Sequence, residues 1–461
     1  MSRVDLAQIM NPKSVAVIGA SRDPDKVGHV ILQNYINAGY DGELYPVNKS
    51  GEDILGLKTY KNVDQIKKSV DLAVIAIPAP FVPGVLEECG KAGVRSVVVV
   101  SGGFAEVGNT ELEEKIGQIA MKYKMPMIGP NCLGVMDPRS RVDTLFLPTY
   151  KLSRPSIGGV SFMAQSGAVG STILDLISGE GFGLSKFISY GNATYVDEAD
   201  ILEYLMNDKD TKVIVMYLEG VKRGKAFLDV ARKTAGKKPV VVLKAGKTAE
   251  GQAAAHSHTA ALAGDFETYL ALFRQFGFII ADDLSDLLYY AKVLVSEPPP
   301  KGNHVAVITN GGGAGVLVTD ALASSPNLKM GVFSATAQKA LRKAMPSIVS
   351  IRNPLDLAGD ADYQRYGTAI EALRNDPGID MFVVVALFQT PGADSKLAAE
   401  LVRFKDNMDK PMIVVSVGAQ YTEMHKVLME SAGLPVYDSP AAAVKALSAL
   451  LSYNVYKNRK R

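Results

Sequence analysis

Short runs of β-branched and other apolar residues recur along the chain, and each ends on glycine, proline or a small polar residue. In the first third these runs cover residues 14–19, 43–48, 72–77, 96–101 and 126–130, with helical patterns between them. Continuous apolar runs of this length are typical of strands buried on both faces of a parallel sheet. The alternation of strands and helices predicts an α/β domain with helices on both faces of its sheet.

The same alternation continues to the C-terminus and is interrupted once. Residues 296–303 contain three consecutive prolines, which is typical of a linker. We therefore predict α/β architecture with three doubly wound parallel-sheet domains, over residues 1–130, 131–295 and 304–461. In such sheets ligands bind at the carboxyl ends of the strands.

Composition narrows the class of protein only slightly. The 461-residue chain is 47% apolar and 21% charged, with a formal net charge of +2. That balance gives no reason to expect nucleic acid or a membrane surface as partner. The two cysteines are far apart and lack metal-ligand spacing, which fits a reducing cytoplasm. We expect no signal peptide, because no basic segment precedes an apolar run, and no stretch reaches the ~18 apolar residues of a membrane span.

The strand ends of the first domain favour a nucleotide-type ligand. Gly19, Ala20 and Ser21 follow the first strand, where their amides can meet an anion at a helix start. The Gly-x-Gly-x-x-Gly fingerprint is absent, and Lys49 stands where an NAD site usually places an acidic residue. The lysine favours a ligand with an extra phosphate. Each strand end taken singly is also compatible with ordinary βα turn chemistry. The residues at the ends of the third and fourth strands are Ile77, Pro78, Ser101 and Gly102, where proline and glycine leave room for a nucleotide.

The second domain brings polar residues to one sheet edge. Gln165, Ser166 and Gly167 open a helix after a strand and form an anion cradle of amides and a hydroxyl. A nucleophile elbow is excluded because residue 164 is alanine, and a P-loop because residue 241 is valine. The neighbouring strand ends carry the following residues: Asn192, Glu219 and, in an alanine-rich stretch, His258.

These residues suit phosphoryl transfer through an imidazole. A neutral imidazole can attack phosphorus with one ring nitrogen while a carboxylate such as Glu219 fixes the proton on the other. The helix start at Ser166 supplies donors to the phosphoryl group. Two alternatives stay open: Glu219 as a solvated strand-end carboxylate, and residues 251–265 as a small-residue helix packed on a neighbour.

The third domain shows weaker signals. Residues 311–315 are rich in glycine and follow a strand, so they can hold an anion or only allow close packing. A helix is predicted from about residue 316 and a closing helix over residues 441–453. His304 begins a strand and His425 lies in a helical pattern, and both are interpreted as structural.

The motifs in their order resemble the α subunits of ADP-forming acetyl-CoA synthetases. This family belongs to the NDP-forming acyl-CoA synthetase superfamily, which also contains succinyl-CoA synthetase. The resemblance rests on segments spread over nearly the whole chain: residues 14–21, 45–48, 129–134, 165–167, 191–200, 257–264, 310–313 and 353–357. It implies a Rossmann-like CoA-binding domain followed by two flavodoxin-like domains, the first of which carries a phosphohistidine loop.

The resemblance also implies site residues. His258 matches the phosphorylated histidine, with Glu219 as its supporting carboxylate, and Gln165, Ser166 and Gly167 match the phosphate-binding turn. Asn192 is a candidate for the acyl site. Ala260 replaces a glycine that is frequent in the family, and His256 is interpreted as a neighbour of the nucleophile. The implied CoA-binding residues are Gly19, Ala20, Ser21, Lys49, Ile77, Pro78, Ser101, Gly102, Asn131 and Cys132.

The resemblance further implies partners and cofactors. Coenzyme A and phosphate are expected as substrates. No stretch of the sequence resembles an ATP-grasp module, so we expect a separate ATP-grasp β subunit that binds Mg²⁺ and ADP or ATP, in an α₂β₂ complex. The alternatives are a non-catalytic CoA-binding regulatory protein, the ligase-like part of a protein acetyltransferase, and an NAD-dependent oxidoreductase, which Lys49 disfavours.

Overall fold

The computed structural model describes residues 4–252 and 265–459. These residues form two compact units. The first comprises Met1–Gly179 with Gly183–Phe276, and the second comprises Glu180–Phe182 with Gly277–Arg461. In the described part of the chain, no helix has both the length and the apolar character needed to cross a membrane.

The first sheet of the first unit is entirely parallel, with strand order β2-β1-β3-β4-β5. The order steps outward in both directions from β1, as in doubly wound folds. Its strands are β1 (Ser14–Ile18), β2 (Glu43–Val47), β3 (Leu72–Ile75), β4 (Ser96–Val99) and β5 (Met127–Ile128). The accompanying helices are α1 (Ala7–Met10), α2 (Val27–Asn37), α3 (Val82–Lys91) and α4 (Thr110–Lys122).

Two glycines let the start of α2 pack directly on the end of β1. Gly19 has a φ of +92°, and a Cβ atom there would lie 2.3 Å from the carbonyl oxygen of Ala76. A Cβ atom on Gly28 would lie 2.0 Å from the carbonyl oxygen of Gly19. Only glycine fits such close backbone approaches. The two positions therefore shape the loop that ends β1.

The second sheet of the first unit runs in the order β11-β10-β8-β9-β6-β7. Its strands are β6 (Gly134–Asp137), β7 (Val142–Asp143), β8 (Ile157–Ala164), β9 (Leu184–Ser189), β10 (Val213–Leu218) and β11 (Val240–Lys244). The helices are α5 (Gly167–Gly179), α6 (Glu198–Asn207), α7 (Gly224–Thr234) and α8 (Phe266–Gln275). The prediction of a purely parallel sheet is wrong at one edge. There β6 pairs antiparallel with the distant β9 and also with β7, to which a tight turn joins it.

The second unit holds the third sheet, which is parallel, in the order β14-β13-β16-β17-β18, with β15 paired to β13. Its strands are β13 (His304–Thr309), β14 (Lys329–Met330), β15 (Leu355–Asp356), β16 (Met381–Val385), β17 (Met412–Val415) and β18 (Val436–Tyr437), and β12 (Ile279–Ile280) precedes them. The helices are α9 (Leu284–Ser296), α10 (Gly312–Ala323), α11 (Ala335–Ala344), α12 (Tyr363–Leu373), α13 (Ser395–Lys405), α14 (Gln420–Ser431) and α15 (Pro440–Arg459).

Two helix boundaries in the second unit differ from the prediction. Helix α10 begins at Gly312, before the predicted start near residue 316, because Gly311 is its extended N-cap and the following glycines form its first turn. The closing helix is longer than residues 441–453, since it begins at Pro440, a residue favoured in a first helical turn, and reaches Arg459. Apolar side chains of α15 pack in one buried cluster with β13, β16 and β17.

Candidate active site

A cleft of about 620 Å³ lies at the carboxyl ends of β1, β3 and β4. This is the edge at which parallel sheets bind nucleotides. Most of the predicted CoA-binding residues line it: Gly19, Ala20, Ser21, Ile77, Pro78, Ser101 and Gly102. Residues that follow separate strands of the sequence thus lie together in one cleft. Lining residues that the sequence reasoning missed include Lys26, Gly28, Asn48 and Phe146.

Hydrogen bonds hold the loops of the cleft in place. The Ser101 hydroxyl donates to the carbonyl oxygen of Ile77 at 2.6 Å and accepts from its amide at 3.2 Å. The Asn48 amide donates to the carbonyl oxygen of Ala20 at 2.6 Å. The imidazole of His29 lies 2.8 Å from the carbonyl oxygen of Ser21. These bonds within the protein hold the walls of the cleft in place, which lowers the ordering cost of binding.

The lysine that lines the cleft is Lys26 rather than Lys49. The ammonium of Lys49 lies 5.8 Å from the ring centre of the exposed Phe81, and Lys49 is not among the lining residues. Lys26 stands directly before α2, close to the residues that follow β1. The glycine-shaped loop, a lysine and a serine hydroxyl fit a ligand that carries phosphates.

A second cavity of about 340 Å³ adjoins the cleft, and the two share Val100 and Phe146 as lining residues. It contains the predicted phosphate-binding turn and the acyl-site candidate: Gln165, Ser166, Gly167 and Asn192. Ser166 precedes α5, and its hydroxyl accepts from the amide of Val169 at 3.3 Å. The first amides of a helix lack partners within it, so this end of the cavity favours an anion.

Two residues predicted to bind CoA lie in the second cavity instead. Asn131 and Cys132 line it and are absent from the lining of the first cleft. The Cys132 thiol lies 3.4 Å from the carbonyl oxygen of Val99, and burial raises its pKa to about 12. The thiol therefore stays protonated and is not a nucleophile at neutral pH.

Asn192 is fixed by its neighbours. Its side-chain nitrogen donates to Glu106 at 2.7 Å and to Glu113 at 2.8 Å. Its side-chain oxygen accepts from Asn131 at 3.2 Å, and its backbone carbonyl accepts from the ammonium of Lys222. The Asn192 amide is thus an immobile wall of the second cavity, and its acyl-site role stays a prediction.

Glu219 follows β10 and is buried, with 5% of its surface exposed. Its backbone nitrogen donates to the side-chain oxygen of Gln165 at 2.6 Å, and the amide of Gly220 donates to the same oxygen at 3.0 Å. Burial, together with the charge and hydrogen bond of Glu219, raises the pKa of Tyr217 to about 12. The backbone of Glu219 is therefore held by Gln165, the first residue of the phosphate-binding turn. Glu219 is buried and is not a freely solvated carboxylate.

A second buried carboxylate, Glu198, escaped the sequence reasoning. The side-chain nitrogen of Gln165 donates to Glu198 at 3.4 Å, and the amide of Lys222 donates to its other oxygen at 3.4 Å. Burial raises the pKa of Glu198 to about 7. It lies in the first turn of α6, where a negative charge is favoured. No sequence signal distinguishes it from an exposed first-turn glutamate.

Lys244 ends β11 and is a buried cation whose electrostatic environment includes Glu219. Its ammonium donates to the carbonyl oxygen of Ala245 at 2.6 Å and lies 4.9 Å from the ring centre of Tyr269. Burial lowers the pKa of Lys244, and the charge of Glu219 opposes that shift. The two charges therefore stabilise each other in a buried setting.

Three protein families match successive parts of the chain. A CoA binding domain matches residues 13–138, a succinyl-CoA ligase like flavodoxin domain residues 157–294, and a ligase-CoA domain residues 305–449. The α subunit of acetate–CoA ligase [ADP-forming] I from Pyrococcus furiosus is 40% identical over 98% of this chain and 99% of its own length. This chain belongs to the ADP-forming acetate–CoA ligase family.

Another member of the family is a longer protein. The acetate–CoA ligase [ADP-forming] of Methanocaldococcus jannaschii is 40% identical over 98% of this chain, which spans 64% of that relative. A solved structure of an acetyl-coenzyme A synthetase 1 from Ca. Korarchaeum cryptofilum, in complex with phosphate and ADP, superposes with a TM-score of 0.92. It is 35% identical and covers 99% of both chains.

These comparisons confirm the resemblance and the α/β fold class. Relatives named as ligases favour the catalytic interpretation over a non-catalytic CoA-binding regulator. Relatives named as α subunits imply a separate partner subunit for this ligase family. The predicted domain boundaries at residues 130, 295 and 303 stay predictions.

The predicted nucleophile lies outside the described residues. His258, its neighbour His256 and the departure at Ala260 all fall within residues 253–264. The described chain ends before them at Gln252 and resumes at Asp265, which caps α8. The pairing of His258 with Glu219 therefore stays a prediction that rests on the ligase family.

Proposed function

We propose that this chain is the α subunit of an ADP-forming acyl-CoA synthetase that acts on acetyl-CoA. With a separate ATP-grasp β subunit, in an α₂β₂ complex, it would convert acyl-CoA, phosphate and ADP into the free acid, CoA and ATP. The observation that carries this proposal is the shared wall of the two cavities. Because Val100 and Phe146 line both, a thioester can extend from the CoA cleft to the turn at Ser166.

The first step joins phosphate to the acyl group. A phosphate oxygen attacks the thioester carbonyl, the carbon–sulfur bond breaks, and CoA leaves as the thiolate that then takes a proton. The product is an acyl phosphate. The amides at the start of α5 and the Ser166 hydroxyl face the cavity in which phosphate would lie, and they offset its charge.

The second step moves the phosphoryl group to the chain. A ring nitrogen of His258 attacks phosphorus, the bond to the acyl oxygen breaks, and the acid leaves as carboxylate. Glu219 is the carboxylate proposed to accept the hydrogen bond from the other ring nitrogen and so to fix the tautomer. Its backbone is held by Gln165, which sets where that carboxylate lies.

The third step belongs to the partner. We place ADP and Mg²⁺ on the β subunit, where the phosphoryl group of His258 passes to ADP. The metal supplies charge neutralisation to the phosphates when bound. The two cysteines are buried as free thiols, which agrees with a reducing cytoplasm as the site of action.

Phosphate labelling tests this mechanism. The chain, mixed with its candidate β subunit, is incubated with acetyl-CoA and radiolabelled phosphate, and the label is mapped. We expect an acid-labile, alkali-stable label on residues 251–265 that is lost in His258→Ala. His304→Ala, at a partly exposed strand residue far along the chain, serves as the matched control and should keep the label. Full turnover by His258→Ala would contradict the mechanism.

A further inference from the structure

Phe146 stands at the junction of the two cavities. It lines the cleft formed by Gly19 and Ser101, and it also lines the cavity formed by Ser166 and Asn192. It is partly exposed, whereas Val100, the other shared residue, is buried at the end of β4. The amide of Val100 donates to the carbonyl oxygen of Ile75 at 3.1 Å, so the Val100 side of the junction is fixed by the sheet.

The backbone on both sides of Phe146 is held by one amide. The side-chain nitrogen of the buried Asn34 donates to the carbonyl oxygen of Leu145 at 2.7 Å and to that of Leu147 at 3.0 Å. Arg154 also donates to the carbonyl oxygen of Leu147, at 2.8 Å. Three hydrogen bonds therefore clamp the two neighbours of an aromatic residue that is itself only half-buried.

Asp143 holds Arg154 and Leu145 in place. It is 3% exposed, and its carboxylate accepts from the Nε of Arg154 at 2.7 Å and from the amide of Leu145 at 3.1 Å. The conformation of residues 144–147 is thus fixed by the ion pair of Asp143 with Arg154 and by the side-chain amide of Asn34, although these residues form neither helix nor strand. A loop anchored in this way places one side chain reproducibly, which is the requirement for a specificity-determining residue.

The walls of the second cavity suit an apolar acyl group. Leu133 and Leu147 line it together with Phe146, and Gln165, Ser166 and Asn192 supply its polar groups. Its 340 Å³ exceeds the needs of an acetyl group, which has three heavy atoms, since a water molecule occupies about 30 Å³.

We propose that Phe146 determines which acyl groups this chain accepts, because it lines the cavity into which the thioester extends, at the junction with the CoA cleft. This inference rests on the proposed function, since it assigns the specificity of the same site. A smaller residue at position 146 lengthens the acyl group that fits, and a larger one restricts the site towards acetyl. Phe146 acts at the junction, where the acyl end of the ligand enters the second cavity.

Binding measurements test this without turnover. The dissociation constants of CoA, acetyl-CoA, isovaleryl-CoA and phenylacetyl-CoA are measured for the whole chain and for Phe146→Ala and Phe146→Trp. For Phe146→Ala we expect the affinity for phenylacetyl-CoA relative to CoA to rise about tenfold or more, since each methylene in an apolar pocket changes selectivity by about 10- to 200-fold. Phe146→Trp should lower the same ratio. Phe81→Ala, which replaces an exposed phenylalanine outside both cavities, should leave it unchanged.

Two outcomes would overturn the inference. Equal weakening of all four ligands by Phe146→Ala would make the ring a platform for the shared pantetheine arm. Unchanged ratios in both variants would mean that the acyl group lies elsewhere. Failure of the proposed function has a different signature: the wild-type complex would bind acyl-CoA, with ratios that respond to position 146, yet form no ATP from acetyl-CoA, phosphate and ADP.

Discussion

The backbone nitrogen of Glu219 donates a 2.6 Å hydrogen bond to the side-chain oxygen of Gln165. The two residues follow β10 and β8, which are neighbours in one parallel sheet. One side chain therefore joins the turn that would hold phosphate to the backbone of Glu219, whose carboxylate would orient the nucleophile. It also reaches Glu198 through its nitrogen. This relationship makes Gln165 a positioning residue of the site, in addition to its place in the cavity wall.

Replacement of Gln165 should affect both stability and turnover. In Gln165→Ala the buried amides of Glu219 and Gly220 lose their shared acceptor, so the free energy of unfolding should fall by about 1–3 kcal/mol. Turnover of the complex should fall at least about tenfold, because a loss of ~1.4 kcal/mol in positioning is a factor of ten. Denaturant unfolding and steady-state kinetics measure the two effects.

The control for this prediction is Gln118→Ala. Gln118 is exposed on α4 and lines neither cavity, so both quantities should stay at wild-type values. If Gln165→Ala and Gln118→Ala behave alike, the hydrogen bonds to Glu219 have no role in placing it.

Glu198 should make stability depend on pH. Burial raises its pKa from the ordinary 4.5 to about 7 in the folded chain. Between these two values the unfolded chain releases a proton that the folded chain keeps, so the free energy of unfolding falls as pH rises. The fall is about 3 kcal/mol in total at ~1.36 kcal/mol per pH unit, and it ends above pH 7. Glu198→Gln should abolish this part of the pH dependence.

The measurement is the difference in unfolding free energy between Glu198→Gln and wild type. It should shift in favour of the variant by about 3 kcal/mol between pH 4.5 and 7.5, an order-of-magnitude value. Glu203→Gln, a partly exposed position on the same helix, is the matched control and should show no such shift. A constant difference for Glu198→Gln would mean that the carboxyl group has the same pKa in the folded and the unfolded chain.

Lys26 and Lys49 should differ in their effect on CoA binding. Lys26 lines the cleft, whereas the Lys49 ammonium lies over the ring of Phe81. Lys26→Ala should raise the dissociation constant of CoA about fivefold, because an exposed charge pair contributes up to ~1 kcal/mol. Lys49→Ala should change it by less than about twofold. Calorimetric titration at two salt concentrations checks the assignment, since the Lys26 effect should shrink at high salt.

If Lys49→Ala weakened CoA binding more than Lys26→Ala, Lys49 would be the lysine that binds the phosphates of CoA. That residue was the stronger candidate from sequence, because it occupies the position at which NAD sites carry their acidic residue.

Both cysteines should resist alkylation in the folded chain. Burial raises the pKa of Cys89 and of Cys132 to about 12, so neither forms a thiolate at pH 8. Iodoacetamide should modify neither residue in native buffer and both in denaturant, as read by mass spectrometry. Cys132→Ala should keep at least half of the wild-type turnover. Rapid native alkylation of Cys132 that is blocked by CoA would instead indicate an exposed, reactive thiol in the second cavity.

The sequence by itself determined the class of fold and the position of the ligand cleft. Apolar runs that end on glycine, proline or serine specify buried parallel strands, and strand ends such as Gly19 and Ser101 meet at one edge for geometric reasons. The same logic placed Ser166 and Glu219 near each other. The sequence of strands and helices along the chain is enough to predict the fold class and the binding edge, because each βα unit folds in the same right-handed way.

Tertiary structure decided which side chains reach the cavities. Lys26 lines the cleft and Lys49 does not, because side-chain direction depends on packing around each loop. Asn131 and Cys132 belong to the second cavity, and the antiparallel β6 arises from pairing with a strand distant in sequence. The backbone on both sides of Phe146 is held by the remote Asn34. Glu198 is likewise hydrogen-bonded to Gln165, which is distant in sequence. Such long-range contacts have no local pattern, so only the folded chain reveals them.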